Sequence, residues 1–311
     1  MNRTLYVLLI LVTTFLMGVA FPVGKIGLSY ATPFLLMGVR FVFAGLLMAG
    51  IVRRRPWPVG AAAWARVAVI GLFQSAGVMG RAYYSMNWVT SGESAILIFM
   101  NPLLVIVFSS LITGTKYRWT QWFGVLIGFL GVALTFGLQL SFSTGTLIGF
   151  LGAVSFTAAT LLVKRWGAGM DTWVMTSGQM FFGGIFLLLA SLLAEHPHFT
   201  VNRISIMVLL CLVFLCSIVQ FSGWFYLLKK GDPGKTSAFL FLGPIFGVLS
   251  GWALLGEKVN AIVWVGLGLA CAGIFLVNWQ GRLGASIPLK KPSGAGDPHS
   301  GMKKVSAFAT R

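Results

Sequence analysis

The chain states one pattern twice. At a constant offset of 142 residues, Tyr84 falls on Tyr226, Gly92 on Gly234, Pro102 on Pro244 and Gly114 on Gly256. Lys116 then falls on Lys258, Trp122 on Trp264, Gly124 on Gly266 and Gly131 on Gly273. No gap is needed from residues 81–136 to residues 223–278. A weaker echo at offset 139 sets Lys25 on Lys164, Phe43 on Phe182 and Gly45 on Gly184. A duplicated chain has two similar halves, and the number of elements in each half decides whether they point the same way or opposite ways.

That number follows from hydropathy. Of the 311 residues, 57% are hydrophobic and only 9% charged, with mean hydropathy +0.89. Soluble domains carry roughly a quarter charged residues, so this chain is not made to face water. Ten apolar runs stand near residues 5–23, 33–52, 64–89, 92–112, 118–136, 145–164, 173–194, 203–228, 235–255 and 259–279. Runs of that size cross a hydrocarbon layer of about 30 Å as helices. None shows the short alternating pattern of a membrane β-strand. Ten spans give five per half. With an odd number the second copy enters from the other side, so the expectation is an all-α membrane protein of two inverted five-helix repeats. Residues 1–136 make the first repeat, 137–144 a link, 145–280 the second repeat, and 281–311 a Gly-, Pro-, Ser- and Lys-rich tail too polar to fold.

Net charge of +17 suggests nucleic acid, but the basic residues punctuate the apolar runs rather than forming one patch. With the N-terminus in the cytoplasm, eighteen of the 23 fall inside and only Lys25, Arg203 and Lys258 outside; Arg40 and Arg81 lie within spans. This is a positive-inside pattern, with both termini cytoplasmic. The first run lacks a convincing small-x-small cleavage site and is read as a retained span rather than a signal peptide.

The polar groups within the spans are few. Gln74, Gly77, Arg81, Tyr84 and Trp88 recur every three or four residues on span 3, and Ser217, Gln220 and Trp224 on span 8. Such stripes either tie neighbouring helices together or line a cavity; the aromatic partners favour the cavity. Asn101-Pro102 interrupts span 4 and Gly243-Pro244 interrupts span 9 at the matching place. A proline leaves the carbonyl four residues back without its donor, which suits a hinge or a cavity lining. Arg81 is read first as half of a structural or gating ion pair with Glu93, and second as a direct partner for a carboxylate. Arg40 is read as snorkelling to headgroups. Gly124, Gly128 and Gly131 on span 5, with Gly266 and Gly273 on span 10, form small-residue faces for helix packing or a homodimer.

The six acids and three histidines lie at span ends, in loops or in the tail, and Cys211, Cys216 and Cys271 lack ligand spacing. No metal site, cofactor motif, nucleophile–base pair or proton relay is legible, so no enzyme and no cofactor are expected.

These features resemble the drug/metabolite transporter superfamily in its ten-span form of two EamA-type units. The likeness rests on residues 95–102 with their echo 237–244, on Gly256-Glu257, on the Gly-rich spans 5 and 10, and on Lys25 and Lys164. Thr115 stands where that family often has Glu, so a role for Glu257 is not shared between halves. The general run of the sequence also looks like the YddG-type exporters of aromatic and other neutral amino acids. That resemblance implies an inner-membrane exporter working by alternating access around a midplane cavity. On this reading Gln74, Asn101 and Gln220 are polar contacts, Tyr84 and Trp224 shape the pocket, Arg81 and Glu93 gate or orient, and Pro102 and Pro244 are hinges. A metabolite or drug would use the same set, and a non-transporting membrane receptor or scaffold is the alternative from another class.

Overall fold

The computed structural model describes residues 3–89, 91–135, 143–231, 233–255 and 261–279. Among these the fold is helical, and the one extended pairing is an isolated antiparallel bridge between Ala31 and Phe199. Ten helical segments follow in chain order. They are α1 (Arg3–Leu28), α2 (Pro33–Ile51), α3 (Ala61–Ser85), α4 (Ser91–Ile98 with Asn101–Thr113) and α5 (Trp119–Thr135). Then come α6 (Thr144–Trp166), α7 (Thr172–Ala194), α8 (Arg203–Lys230), α9 (Pro233–Ala238, Phe239–Phe241 and Leu242–Leu255) and α10 (Ala261–Asn278). Seven of them are long and apolar enough to cross a membrane by length and composition. The expected tail, 281–311, and most of the expected link, 137–142, lie outside the described residues.

Local chemistry sets the helix ends. Asp171 accepts hydrogen bonds from the amides of Trp173 and Val174 at the start of α7. Ser143 with Thr146, and Asn202 with Ser205, form capping boxes on α6 and α8. α2 has no side-chain cap of its own, so Glu195 from the end of α7 takes the Phe34 amide at 2.9 Å. Gly114 closes α4 at φ +65°, a conformation that favours glycine. The carboxyl of Asp171 is pushed up by its partial burial, but the two amides and Arg55 Nη1 at 3.1 Å outweigh this and hold it below the usual value.

Packing follows the inverted plan. α2 pairs with α7 and α5 with α10, each helix with its own counterpart. α1 packs on α8 and α9, as α6 packs on α3 and α4. The symmetry reaches single residues: a Cβ on Gly45 would lie 2.6 Å from the Phe181 nitrogen, and one on Gly184 would lie 2.6 Å from the Val42 nitrogen. Val42 and Phe181 are themselves related by the 139-residue offset. On the other pair, a Cβ on Gly273 would meet the Gly124 carbonyl and the Gly128 backbone at 2.5 Å. The small-residue faces of α5 and α10 therefore meet each other within one chain. Gly131 and Gly266 are buried as well.

The helices of α3 and α8 are not regular. Leu72–Gly80 and Phe214–Val219 are wound as π-helix, starting at positions that differ by 142. The wider turn shifts the residues beyond it, so 3.6-residue spacing does not carry a single stripe from Gln74 to Trp88. A single stripe over this span requires one helical period throughout, which the π turn breaks.

Candidate functional site

Three consecutive residues at the middle of α6 each face a different helix. Ser155 Oγ accepts from Arg81 Nη1 of α3 at 2.7 Å. The ring of Phe156 lies 6.1 Å from that of Trp224 on α8. Thr157 Oγ1 accepts from Asn101 Nδ2 of α4 at 3.4 Å. Gln220 stands one turn from Trp224 on the same regular helical face. Gln74 is three residues from Gly77, where an added Cβ would lie 2.9 Å from Ser155 Cβ. Gln74, Asn101, Gln220 and Trp224 thus lie within about two turns of one depth, roughly 10 Å.

All four are closed over: Asn101 and Gln220 are 0% exposed, Gln74 and Trp224 1%. Their polar atoms nonetheless lack partners. Both amide atoms of Gln74 and of Gln220, the Asn101 oxygen and the Trp224 indole nitrogen make no hydrogen bond. A buried amide without a partner costs roughly 1–3 kcal/mol, so several at one depth are a costly arrangement for packing alone.

Elsewhere arginine and serine take up some polar groups of the π turns, though the Gln179 amide nitrogen is also without a partner. Ser217 Oγ donates to the freed carbonyl of Leu212 at 2.8 Å and accepts from Arg40 Nε at 2.7 Å. Arg40 also donates to the carbonyl of Cys216 and lies 4.8 Å from the Phe41 ring. Arg81 Nη1 reaches the carbonyl of Gly77, at 3.3 Å. In the other repeat Ser75 Oγ donates to Gln179 Oε1 at 2.9 Å. Ser75 and Ser217 differ by 142, Arg40 and Gln179 by 139, so these are one inter-repeat contact drawn twice, once with a charge. Arg40 does not snorkel: it is 0% exposed, because Ser217 and the Cys216 carbonyl supply acceptors inside the bundle. Sequence reasoning passed over Ser75, Gln179, Phe156 and Thr157, although the weaker echo would have placed Gln179 opposite Arg40.

Two of the expected residues sit apart. Tyr84 stacks on Phe34 at 4.6 Å and meets Trp88 edge-on at 5.2 Å, near the end of α3 and roughly 15 Å along it from Gln74. Its aromatic surface is committed there, while the neighbouring Tyr83 turns inward and donates to the Ala20 carbonyl at 2.5 Å. Glu93 falls in the first turn of α4, but its side chain lies outside the described residues. The proline breaks meet across the repeats. α4 is interrupted at Phe99–Met100 ahead of Pro102, α9 tightens to a 3-10 turn at Phe239–Phe241 ahead of Pro244, and the Phe99 ring lies against Gly243.

Basic loops gather at one end of the bundle, with Arg53, Arg54, Arg55, Lys164, Arg165, Lys229 and Lys230. This basic face is fastened by Lys164 Nζ on the Gly231 carbonyl at 2.7 Å and Lys229 Nζ on the Met170 carbonyl at 2.6 Å. The opposite face is fastened by backbone bonds from Thr32 to His198 and from Thr200 to Tyr30.

Comparison with known proteins agrees with this architecture. The chain is 27% identical over 295 residues to YvbV, an uncharacterized transporter of Bacillus subtilis (strain 168), covering 90% of this chain and 93% of that protein. It is 26% identical over 281 residues to YedA, an uncharacterized inner membrane transporter of Escherichia coli (strain K12), covering 88% and 91%. A solved crystal structure at 18% identity superposes with a TM-score of 0.75 over 89% of this chain and 97% of the other, which shows a shared fold. The EamA-like transporter family matches twice, over residues 4–137 and 143–279. A bundle of duplicated, oppositely directed membrane helices with this double match belongs to the EamA-like transporter family, and the chain is a multi-pass membrane transporter.

Proposed function

We propose that this transporter exports amino acids, aromatic and other neutral ones, across a bacterial inner membrane. It works by alternating access of its two repeats, 1–136 and 145–280, around a midplane site. The observation that supports the reading is the set of partnerless buried polar atoms on Gln74, Asn101, Gln220 and Trp224, within about two helical turns of one another in depth. A zwitterion offers donors at one end and acceptors at the other, and the amides can turn either group toward it. Phe156 and Trp224 offer an aromatic wall for an apolar side chain. Pro102 and Pro244 give the touching breaks of α4 and α9 a hinge role, and Arg81 orients or gates from Ser155. Both termini and the basic face lie in the cytoplasm. A homodimer through α5 and α10 would use their outward apolar residues, such as Phe123 and Trp264, because the glycines are already paired inside the chain.

Export of a drug or other metabolite is the second reading, since a nucleoside or carboxylic drug would meet the same amides. Arg40 and Arg81 favour a carboxylate-bearing cargo over a cationic dye: both lie within the bundle, and no carboxylate pairs with either among the described side chains. The site is tested by Gln220→Ala in proteoliposomes loaded for counterflow. Transport of labelled phenylalanine should fall at least tenfold in protein that still inserts and elutes as a single species. Wild-type transport by that variant would remove Gln220 from the site.

A further inference from the structure

At the basic face, the loop from Arg53 to Gly60 and the ends of α6 and α7 enclose a recess of about 420 Å³. Its walls include Trp57, Trp166, Arg66 and Arg165. Asp171 also lines it, but Arg55 and the Trp173 and Val174 amides already hold that carboxylate. Arg66 and Arg165 are exposed and make no ion pair among the described residues. The recess is therefore net positive, with two unspent guanidinium groups beside two indoles.

A second hollow of about 320 Å³ lies between α2, α3 and α7, lined by apolar surface throughout. Trp57 is a wall of both. Its ring stacks on Trp64 at 5.9 Å, and Trp64 meets Phe182 edge-on at 6.0 Å, so the aromatic wall is continuous from the loop down the bundle. Along α7 the groove runs from Ser177 to Phe182, roughly 8 Å. That length takes the upper part of one acyl chain, since a leaflet is about 15 Å deep.

A cationic, indole-walled cradle at the basic face, sharing Trp57 with an adjoining apolar groove, matches one ligand chemistry. We propose that this is a binding site for one anionic phospholipid, with its phosphate on Arg66 and Arg165 and one acyl chain along Trp57, Trp64 and Phe182. Guanidinium forks suit a phosphate, and Trp suits the headgroup level. The proposal requires only that the chain spans a membrane, and it stands whatever the cargo.

The test is native mass spectrometry of the full chain released from detergent after exchange into equal amounts of phosphatidylglycerol and phosphatidylcholine with matched acyl chains. The wild type should retain one phosphatidylglycerol in preference to phosphatidylcholine. Arg66→Gln with Arg165→Gln should lower that retention by roughly twenty-fivefold, about fivefold for each surface arginine. Ala49→Trp, which fills the groove from α2, should release both lipids while leaving elution unchanged. Equal retention of the two lipids by the wild type would overturn the proposal. So would phosphatidylglycerol retention unmoved by the arginine pair, or its full displacement by millimolar inorganic phosphate, which would mark a site for the free anion.

Discussion

Gln74 and Gln220 are the residues on which function and stability should part company. A buried amide without a partner weakens the fold, so replacing it with an apolar group of similar shape relieves a cost of roughly 1–3 kcal/mol. Gln220→Leu is expected to keep or raise the melting temperature in detergent while abolishing counterflow; a lower melting temperature with normal transport would make Gln220 a packing residue. Asp171 gives the opposite case, a side chain whose charge is satisfied. Its carboxyl sits below the usual value, so its contribution is in place above about pH 4 and is lost as pH falls through the folded-state value. The stability difference between wild type and Asp171→Asn should be flat from pH 5 to 8 and shrink toward pH 3 in thermal melts. At this scale the sequence was informative about which polar residues lie inside spans, because charge and amides in an apolar run are conspicuous. It was silent about their directions. Tyr84 and Tyr83 are adjacent and chemically alike, yet Tyr83 turns into the bundle and Tyr84 is held by Phe34 and Trp88.

Two kinds of element departure matter here. The breaks before Pro102 and Pro244 were legible, since proline removes a donor wherever it stands. The π turns at Leu72–Gly80 and Phe214–Val219 were not, because no residue type announces them and they defeat the period used to read faces. They free carbonyls at mid-span, and Arg40, Arg81 and Ser217 take up some of these. The glycine contacts give the clearest element-scale prediction. A side chain at Gly273 meets the backbone of Gly124 and Gly128 at 2.5 Å, so α5 and α10 must separate to admit it. Gly273→Val should lower stability by about 1–3 kcal/mol, read as an earlier melt. Gly268→Val on the same helix, where an added Cβ meets nothing within 4 Å, should be nearly silent. Equal effects at the two positions would separate the glycine match from helix packing.

For the whole molecule, the 142-residue echo carried most of the architecture. An odd number of spans per copy implies inversion, and the helix pairings α2–α7 and α5–α10 are what inversion produces. The candidate site was only partly legible, since its asymmetry lies in the departures: Arg40 against Gln179, Asn101 against Gly243, and Gln220 without an echo. Topology has its own check. A reporter active only in the cytoplasm should signal when fused at either terminus, and signal from a C-terminal periplasmic reporter would reverse the assignment. The most direct test of the whole account is counterflow of labelled phenylalanine in proteoliposomes of the wild-type protein. The account predicts accumulation that unlabelled methionine competes away and that cationic dyes leave untouched. Movement of a cationic dye without phenylalanine, or of neither, would contradict it.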